Sequence, residues 1–344
     1  MLTRRNLLWL TGILVVLIVV SVAQKTSHER ATSRASSEVL VPGPLARADL
    51  SRLTIGYGQE TDVVVLAAAP EGWRVATAWD ARASDQRIDG LLQSLSELRG
   101  EFRSDSADVI ADYGFSDSTR ITLAGFDASG REAFRLEVGG KPEQGMGNFV
   151  KRPGDNAVYL TGQSLLSNLG LWSGPARPQS RHFVELQALR LDRQDIDAIR
   201  LEGDEPLTLT KEYEMVEPAP EDTVYTEAFP DRAQWEWRLD DGRRAVKTKA
   251  DGVLGAVTNI RAQDVADPAV PLANYGLDKT ARRAVLVGPD GSETVLLFGA
   301  QREAAGTEPG GYYAVCGESP SIWVVGEFNV NNIFKTRAEL LPDS

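Results

Sequence analysis

The stretch "IADYGFSDST" (Ile110–Thr119) returns in near copy as "LANYGLDKT" (Leu272–Thr280), with Tyr113 matching Tyr275 and Gly114 matching Gly276, 162 positions apart. The same offset holds upstream. "DGLLQSLSELR" (Asp89–Arg99) aligns without a gap on "DGVLGAVTNIR" (Asp251–Arg261), and Trp73 falls on Trp235. Leu91, Leu92, Leu95 and Leu98 match Val253, Leu254, Val257 and Ile260. Their spacing of i, i+1, i+4, i+7 is the apolar stripe of an amphipathic helix. In both places a Tyr-Gly pair follows the helix and precedes a strand. Glycine supplies a positive φ there without steric cost, and the tyrosine beside it covers the edge of a core.

Downstream the register drifts at turns. "ITLAGFDASGREAFRLEVGG" (Ile121–Gly140) resembles "AVLVGPDGSETVLLFGA" (Ala284–Ala300), each reading as strand, Asp/Gly turn, strand. "GNFVKRPGDNAVYLTG" (Gly147–Gly162) aligns with "GYYAVCGESPSIWVVG" (Gly311–Gly326) at offset 164, setting Phe149 on Tyr313 and Tyr159 on Trp323. Upstream, "LSRLTI" (Leu50–Ile55) corresponds to "IDAIRL" (Ile196–Leu201). The pattern predicts an α+β fold: two tandem copies of a mainly antiparallel β unit, each with one amphipathic helix. Copy one is expected over 49–172 and copy two over 191–337. Residues 173–190, with their prolines, read as a connector, and 338–344 as a tail. The acidic, Pro-rich run 215–231 reads as an insertion forming an exposed loop or arm.

The N-terminus carries Arg4 and Arg5 and then no charge until Lys25. Leu7–Ala23 is dominated by Leu, Ile and Val and, as a helix at ~1.5 Å per residue, spans about 25 Å. The arginines ahead of it place the N-terminus in the cytoplasm and the bulk of the chain in the periplasm. The expectation is a single-pass anchor over 1–23 in the inner membrane. The alternatives are a cleaved signal peptide ending at "SVA" (Ser21–Ala23) and a twin-arginine signal. Residues 24–48, rich in Ser, Arg and Ala, read as a flexible tether.

The chain has 344 residues, a net charge of −12, two histidines and a single cysteine. It has no Lys/Arg-rich run, so nucleic acid is not an expected partner. Cys316 has no intrachain disulfide partner. His28 and His182 lack ligand-spaced companions, so zinc is not expected. No Ser elbow and no phosphate-binding P-loop occurs. The Gly-rich "EVGGKPEQGMGNF" (Glu137–Phe149) reads as a loop between strands. "EGDEP" (Glu202–Pro206) and Asp240–Asp241 read as acidic turns without the ordered spacing of a calcium loop. Trp73, Trp235, Tyr159 and Trp323 are expected as core or cross-strand aromatics. No catalytic, cofactor or metal residue is nominated.

The sequence "GWRV", "IDGLLQSLSELR", "ADYGFSDSTRITL", "LEVGG" and "NFVKRPGDNAVYLTG" is similar to a bacterial domain-of-unknown-function family. The resemblance covers Leu50–Phe334, with Phe149 standing where a tyrosine is usual. Members are membrane-anchored proteins often encoded beside gliding-motility-type ABC transporters. The resemblance implies an accessory envelope role and brings no catalytic residues. Two functions follow: a non-enzymatic, membrane-tethered accessory or interaction protein, or an extracytoplasmic hydrolase or glycan-binding protein using carboxylates at the seam between the copies.

Overall fold

The computed structural model describes residues 37–217, 228–279 and 282–343. The chain order begins β1 (Glu38–Val39), β2 (Arg52–Tyr57), β3 (Glu60–Ala69), β4 (Gly72–Val75), β5 (Ala81–Arg82) and helix α1 (Asp85–Ser96). It continues with β6 (Arg99–Ser104), a 3-10 turn (Ala107–Tyr113), β7 (Ile121–Phe126), β8 (Glu132–Val138), β9 (Asn148–Lys151), β10 (Val158–Thr161) and α2 (Leu165–Asn168). Then come β11 (Gln187–Arg190), β12 (Ala198–Glu202), β13 (Leu207–Val216), β14 (Phe229–Leu239) and α3 (Lys247–Thr258). After these run β15 (Asn259–Arg261), β16 (Asp264–Ala266), a 3-10 turn (Leu272–Tyr275), β17 (Arg282–Val287), β18 (Glu293–Arg302), β19 (Gly311–Cys316) and β20 (Ile322–Val325). Two short helices, α4 (Glu327–Ile333) and α5 (Arg337–Leu340), close the chain.

The residues gather into two compact units. One takes the described residues up to Trp73 together with Asp85–His182; the other takes Arg74–Ser84 and the described residues from Phe183 on. Every strand pairing assigned is antiparallel. One sheet contains the run β4-β3-β2-β7-β8-β9-β10-β6, and the other runs β14-β13-β12-β17-β18-β19-β20-β16. The two runs visit their strands in the same chain order. Local pairing builds most of each sheet, because short hairpins join β2 to β3, β7 to β8 and β17 to β18.

Each unit has its own core. Ile88, Leu91, Leu92 and Leu95 of α1 are buried, as are Val253, Leu254 and Val257 of α3. That is the face given by the 3.6-residue period. The Tyr-Gly turn is built the same way in both units. Gly114 (φ 84°) and Gly276 (φ 67°) are left-handed and close their 3-10 turns. Gly140 N donates to Tyr113 O at 2.8 Å. A Cβ on Gly139 would stand 2.2 Å from Tyr113 O, and one on Gly299 would stand 2.2 Å from Tyr275 O. So the glycines ending β8 and lying in β18 let the sheet approach the tyrosine backbone. The rings of Tyr113 and Phe149 lie 4.6 Å apart, and those of Tyr275 and Tyr313 lie 4.5 Å apart.

Several boundaries differ from expectation. The anchor expected over 1–23 lies outside the described residues. Among the described residues no helix is long and apolar enough to cross a membrane. The tether was expected to reach Ala48. Its last residues are instead bound into the sheet: Glu38 and Val39 pair with Gly100 and Arg99, and Leu40 and Val41 are buried. The expected connector 173–190 contributes buried Phe183, Val184 and Ala188, and its end forms β11 against β15. Apolar side chains in a mostly polar run decided this, and the prolines masked them. The expected tail holds Leu340, fully buried, in a capped α5. Residues 74–84, placed by similarity in copy one, belong to the second unit, where Ser84 N donates to Phe183 O and Glu185 N to Arg82 O. Of the expected insertion 215–231, Met215–Val216 and Phe229–Asp231 are strand. Glu217 and Ala228 flank the strands, and 218–227 lie outside the described residues.

Candidate functional site

β13 alternates by the two-residue period of a strand. Leu207 and Leu209 point into the core, and the next position on that face is Lys211, only 5 % exposed. An ammonium at a core position needs compensation. Its Nζ donates to Arg193 O at 2.5 Å and lies 4.1 Å from the centroid of the Trp235 ring. Lys247, in the first turn of α3, brings a second ammonium to 4.3 Å from the same ring. The indole thus receives two cations, each attracted to its π-face.

One carboxylate ties this together. Asp251 Oδ1 accepts from Trp235 Nε1 at 3.1 Å and from Trp237 Nε1 at 2.8 Å, while Oδ2 lies 3.1 Å from Lys247 Nζ. Burial acts to raise the Asp251 pKa. The hydrogen bonds from Trp237, Lys247 and Trp235 outweigh it, so the group stays below the usual carboxylate range. Burial pushes the Lys211 ammonium down to about 8, against the attraction of Asp197.

A second carboxylate extends the cluster along β13. Tyr213 Oη donates to Asp197 Oδ1 at 2.6 Å, and Arg232 grips both oxygens at 3.0 and 3.3 Å. Burial, then the bond to Asp197, raises the Tyr213 pKa. The Arg232 guanidinium stacks 5.2 Å from the Tyr213 centroid. A cleft of about 540 Å³ opens beside these residues, with Trp235 in its lining and Glu212, Glu214, Glu236, Arg244 and Lys247 around it. A wider groove of about 790 Å³ runs along α3 past Gly252, Gly255 and Ala256. Its lysines are already engaged, Lys249 with Asp343 and Leu341 O, and Lys335 with Glu339. The smaller cleft holds the denser chemistry. It brings together aromatic faces, paired charges and exposed carboxylates around an enclosed amine.

The residues singled out from sequence fall elsewhere. His28 lies outside the described residues. His182 donates from Nε2 to Asn168 O (3.0 Å) and packs on Gly170; burial and then Arg87 push its pKa down to about 4. Cys316 is buried, which pushes its thiol up to about 12. The acidic turns converge on Arg337, which lies 2.5 Å from Asp240, 2.9 Å from Asp241 and 3.8 Å from Glu205. An arginine therefore occupies the place where a cation was considered. Among the described residues no group of three His, Cys, Asp or Glu side chains is disposed to hold a metal. Trp73, Tyr159 and Trp323 are buried as expected, but Trp235 is only half-buried and Trp237 takes the core position. The fixed offset hid this, because the turn after β14 is two residues shorter than the one after β4. Lys211, Trp237 and Asp197 were not singled out. The legible signal was a lysine continuing the leucine alternation of "LTLTK" (Leu207–Lys211).

Fold and site define an α+β protein with mostly antiparallel sheets, whose chemically richest feature is a lysine–tryptophan–carboxylate cluster at a sheet edge. Residues 73–265 match the family described as a domain of unknown function, DUF4340, and the chain belongs to that family. The matched segment contains the whole cluster from Asp197 to Asp251. No curated protein and no solved structure matches the chain.

Proposed function

We propose that the protein is a non-enzymatic accessory subunit of an inner-membrane complex, an ABC transporter of the gliding-motility type, held at the periplasmic face by residues 1–23. Its two units are taken as tandem copies of one β unit, a reading supported by the shared strand order and the repeated Tyr-Gly construction. The transporter assignment rests on the family resemblance.

The observation that carries an interaction role is the β13–β14 ribbon. β12 pairs with β13 only from Leu207 to Thr210, whereas β13 and β14 pair on to Tyr213 and Trp235 and, after a register shift, again at Met215–Pro230 and Val216–Phe229. Among the described residues no third strand pairs with the ribbon past Lys211. Its far end exposes Met215 (58 %) and Val216 (39 %). A two-stranded ribbon is marginal by itself, and exposed apolar side chains on a projecting element mark contact surfaces. A tether raises the effective concentration of such a surface near a membrane partner and gives no advantage toward a freely diffusing substrate.

The test places a photo-crosslinking amino acid at Met215 in the full chain and irradiates intact membranes. A discrete adduct with an integral membrane protein is expected. In parallel, residues 1–23 are replaced by a cleavable signal peptide at matched abundance. Loss of complementation is expected, and full complementation by the released body overturns the tethered reading.

A further inference from the structure

The groove of about 790 Å³ beside α3 runs from Thr248 to Asn259, and Asn329 and Asn332 of α4 line it as well. Along the helix that stretch measures about 16 Å at about 1.5 Å per residue. The matching place in the other unit is closed. At the offset of 162 Ser94 of α1 falls on Ala256, and at the offset of 164 Leu165 and Asn168 of α2 fall on Asn329 and Asn332. In that unit Asn168 Nδ2 donates to Ser94 Oγ at 2.7 Å, which joins the two helices, and Leu165 is fully buried. Beside α3 the hydroxyl is gone and the leucine has become an amide. Among the described residues the side-chain amides of Asn329 and Asn332 and the hydroxyl of Thr248 have no hydrogen-bond partner.

The charged side chains that line the groove are paired, with one exception. Lys249 binds Asp343, Lys335 binds Glu339 and Asp251 binds Lys247. Among the described residues the Arg193 guanidinium has neither an ion pair nor a hydrogen bond; only its backbone carbonyl is engaged, by Lys211. It lies against the α3 backbone, where a Cβ on Gly255 would stand 2.7 Å from Nη2. The residue that matches Gly255 in the other unit is Gln93, whose side chain would fill this place. The groove therefore presents one uncompensated positive charge, on the side chain best suited to a two-pronged grip on a carboxylate.

The polar groups narrow the occupant. A primary amide carries both donors and an acceptor, the complement of a peptide unit. A helix satisfies its own backbone groups and would leave these amides unmet, whereas an extended chain has its N–H and C=O free. Among the described residues lining the groove there is no aromatic ring, so a sugar finds no face to stack on. We propose that the groove between α3 and α4 binds an extended, carboxylate-bearing segment of a partner protein, with Arg193 on the carboxylate and Asn329 and Asn332 on the main chain. At about 3.3 Å per residue the groove takes about five residues. The inference goes beyond the accessory-subunit reading and needs neither residues 1–23 nor the surface at Met215.

The probes are fluorescein-labelled pentapeptides, varied one position at a time on an alanine background and titrated by anisotropy against the full chain in mild detergent. They form three sets: Asp at the centre with an amidated end, a free C-terminal carboxylate without Asp, and neither. Saturable binding is expected in at least one of the first two sets, which names the source of the carboxylate, and binding at least about tenfold weaker in the third. N-methylation of the tightest peptide at alternate residues is expected to weaken it by a similar factor, since main-chain donors are removed. Arg193→Gln, at an exposed position and with the carbonyl that holds Lys211 intact, is expected to lose the preference for a carboxylate while melting as the wild type does. Ala256→Ser gives Asn332 the partner that Asn168 has and is expected to lower affinity at least about threefold. Equal binding of the third set, or a carboxylate preference that survives Arg193→Gln, overturns the anion site. Unchanged affinity on N-methylation or in Ala256→Ser overturns main-chain recognition by the amides. Oligogalacturonate binding more tightly than every peptide overturns the peptide in favour of an acidic glycan, and no binding of any peptide overturns the groove as a peptide site. A Met215 crosslink in membranes is unaffected by these outcomes, so the two readings fail separately.

Discussion

Two residues beyond the buried Leu66 of β3 stands Ala68; two beyond the buried Leu209 of β13 stands Lys211. That single difference brings a cation onto a core face, and Trp235, Asp251 and Asp197 are arranged around it. The linkage to pH has a definite sign. Burial lowers the folded pKa to about 8 from the unfolded 10.5, so the unfolded chain binds more protons between those values. Lys211 therefore costs stability below pH 8, and the cost fades as pH rises toward 10.5. Lys211→Met fills the site without the charge. It is expected to raise stability at pH 7 by on the order of 1–3 kcal/mol, with the gain shrinking as pH climbs through 8 to 10. Urea denaturation of both proteins across that range measures the difference. A gain that is flat with pH shows that the lysine's charge is not what the site strains against. The lysine itself was visible in the sequence as a break in alternation. Its caging was not, because the tryptophans and carboxylates arrive from β14, α3 and the start of β12.

At the scale of elements, the two units solve one packing position in opposite ways. On β8 and β9, Glu137 and Lys151 face each other, nearly buried, with Oε2 and Nζ 2.7 Å apart. On β18 and β19 the matching cross-strand pair is Leu297 and Val315, packed on an apolar cluster with Tyr275 and Leu277. An ion pair removed from water is offset by its own attraction only if both partners stay. Glu137→Leu alone is expected to cost about 3–5 kcal/mol by stranding Lys151, whereas Glu137→Leu with Lys151→Val is expected within about 1 kcal/mol of wild type. Thermal melts of the two singles and the double test the cycle; a double variant as unstable as the worse single rejects the equivalence. The glycines at the Tyr-Gly turn allow no such exchange. Gly139→Ala and Gly299→Ala each drive a Cβ to 2.2 Å from a tyrosine carbonyl oxygen held by backbone. Each is expected to cost about 2–4 kcal/mol through overpacking. Gly252→Ala, in the interior of α3 with nothing within 4 Å of the new Cβ, is expected to stabilise by about 0.5–1 kcal/mol. The helices, hairpins and turns were legible because period and turn chemistry are local and were written twice. The Glu137–Lys151 pair was not, since a charged residue in a strand reads as solvent-facing until its partner across the sheet is known.

At the scale of the whole molecule, similarity and architecture divide the chain differently. Sequence similarity cuts it near residue 191, but the second unit recruits Arg74–Ser84 from far upstream and begins again at Phe183. The recruited segment is bound by backbone: Ser84 N donates to Phe183 O at 2.7 Å, Glu185 N donates to Arg82 O at 2.8 Å, and Ala83 bridges Val184. It is also apolar where it matters, with Val75, Ala78, Ala81 and Ala83 buried. No period or motif announces such a crossing, because a matching pattern of residues does not tell which core a segment joins. A fragment 183–344 keeps β12 to β20 yet lacks this hairpin, leaving the backbone groups of Phe183–Glu185 and a strip of apolar surface exposed to water. Unmet backbone bonds and lost apolar burial each destabilise. The fragment is therefore expected to melt at least about 10 °C below the second transition of the full chain, or without cooperativity. A synthetic peptide of residues 72–84 added in trans is expected to restore part of the loss in a concentration-dependent way. Calorimetry of the fragment with and without the peptide decides the matter. A fragment as stable as the full chain, or a peptide without effect, means that Arg74–Ser84 only rests against a unit already complete from Phe183 onward.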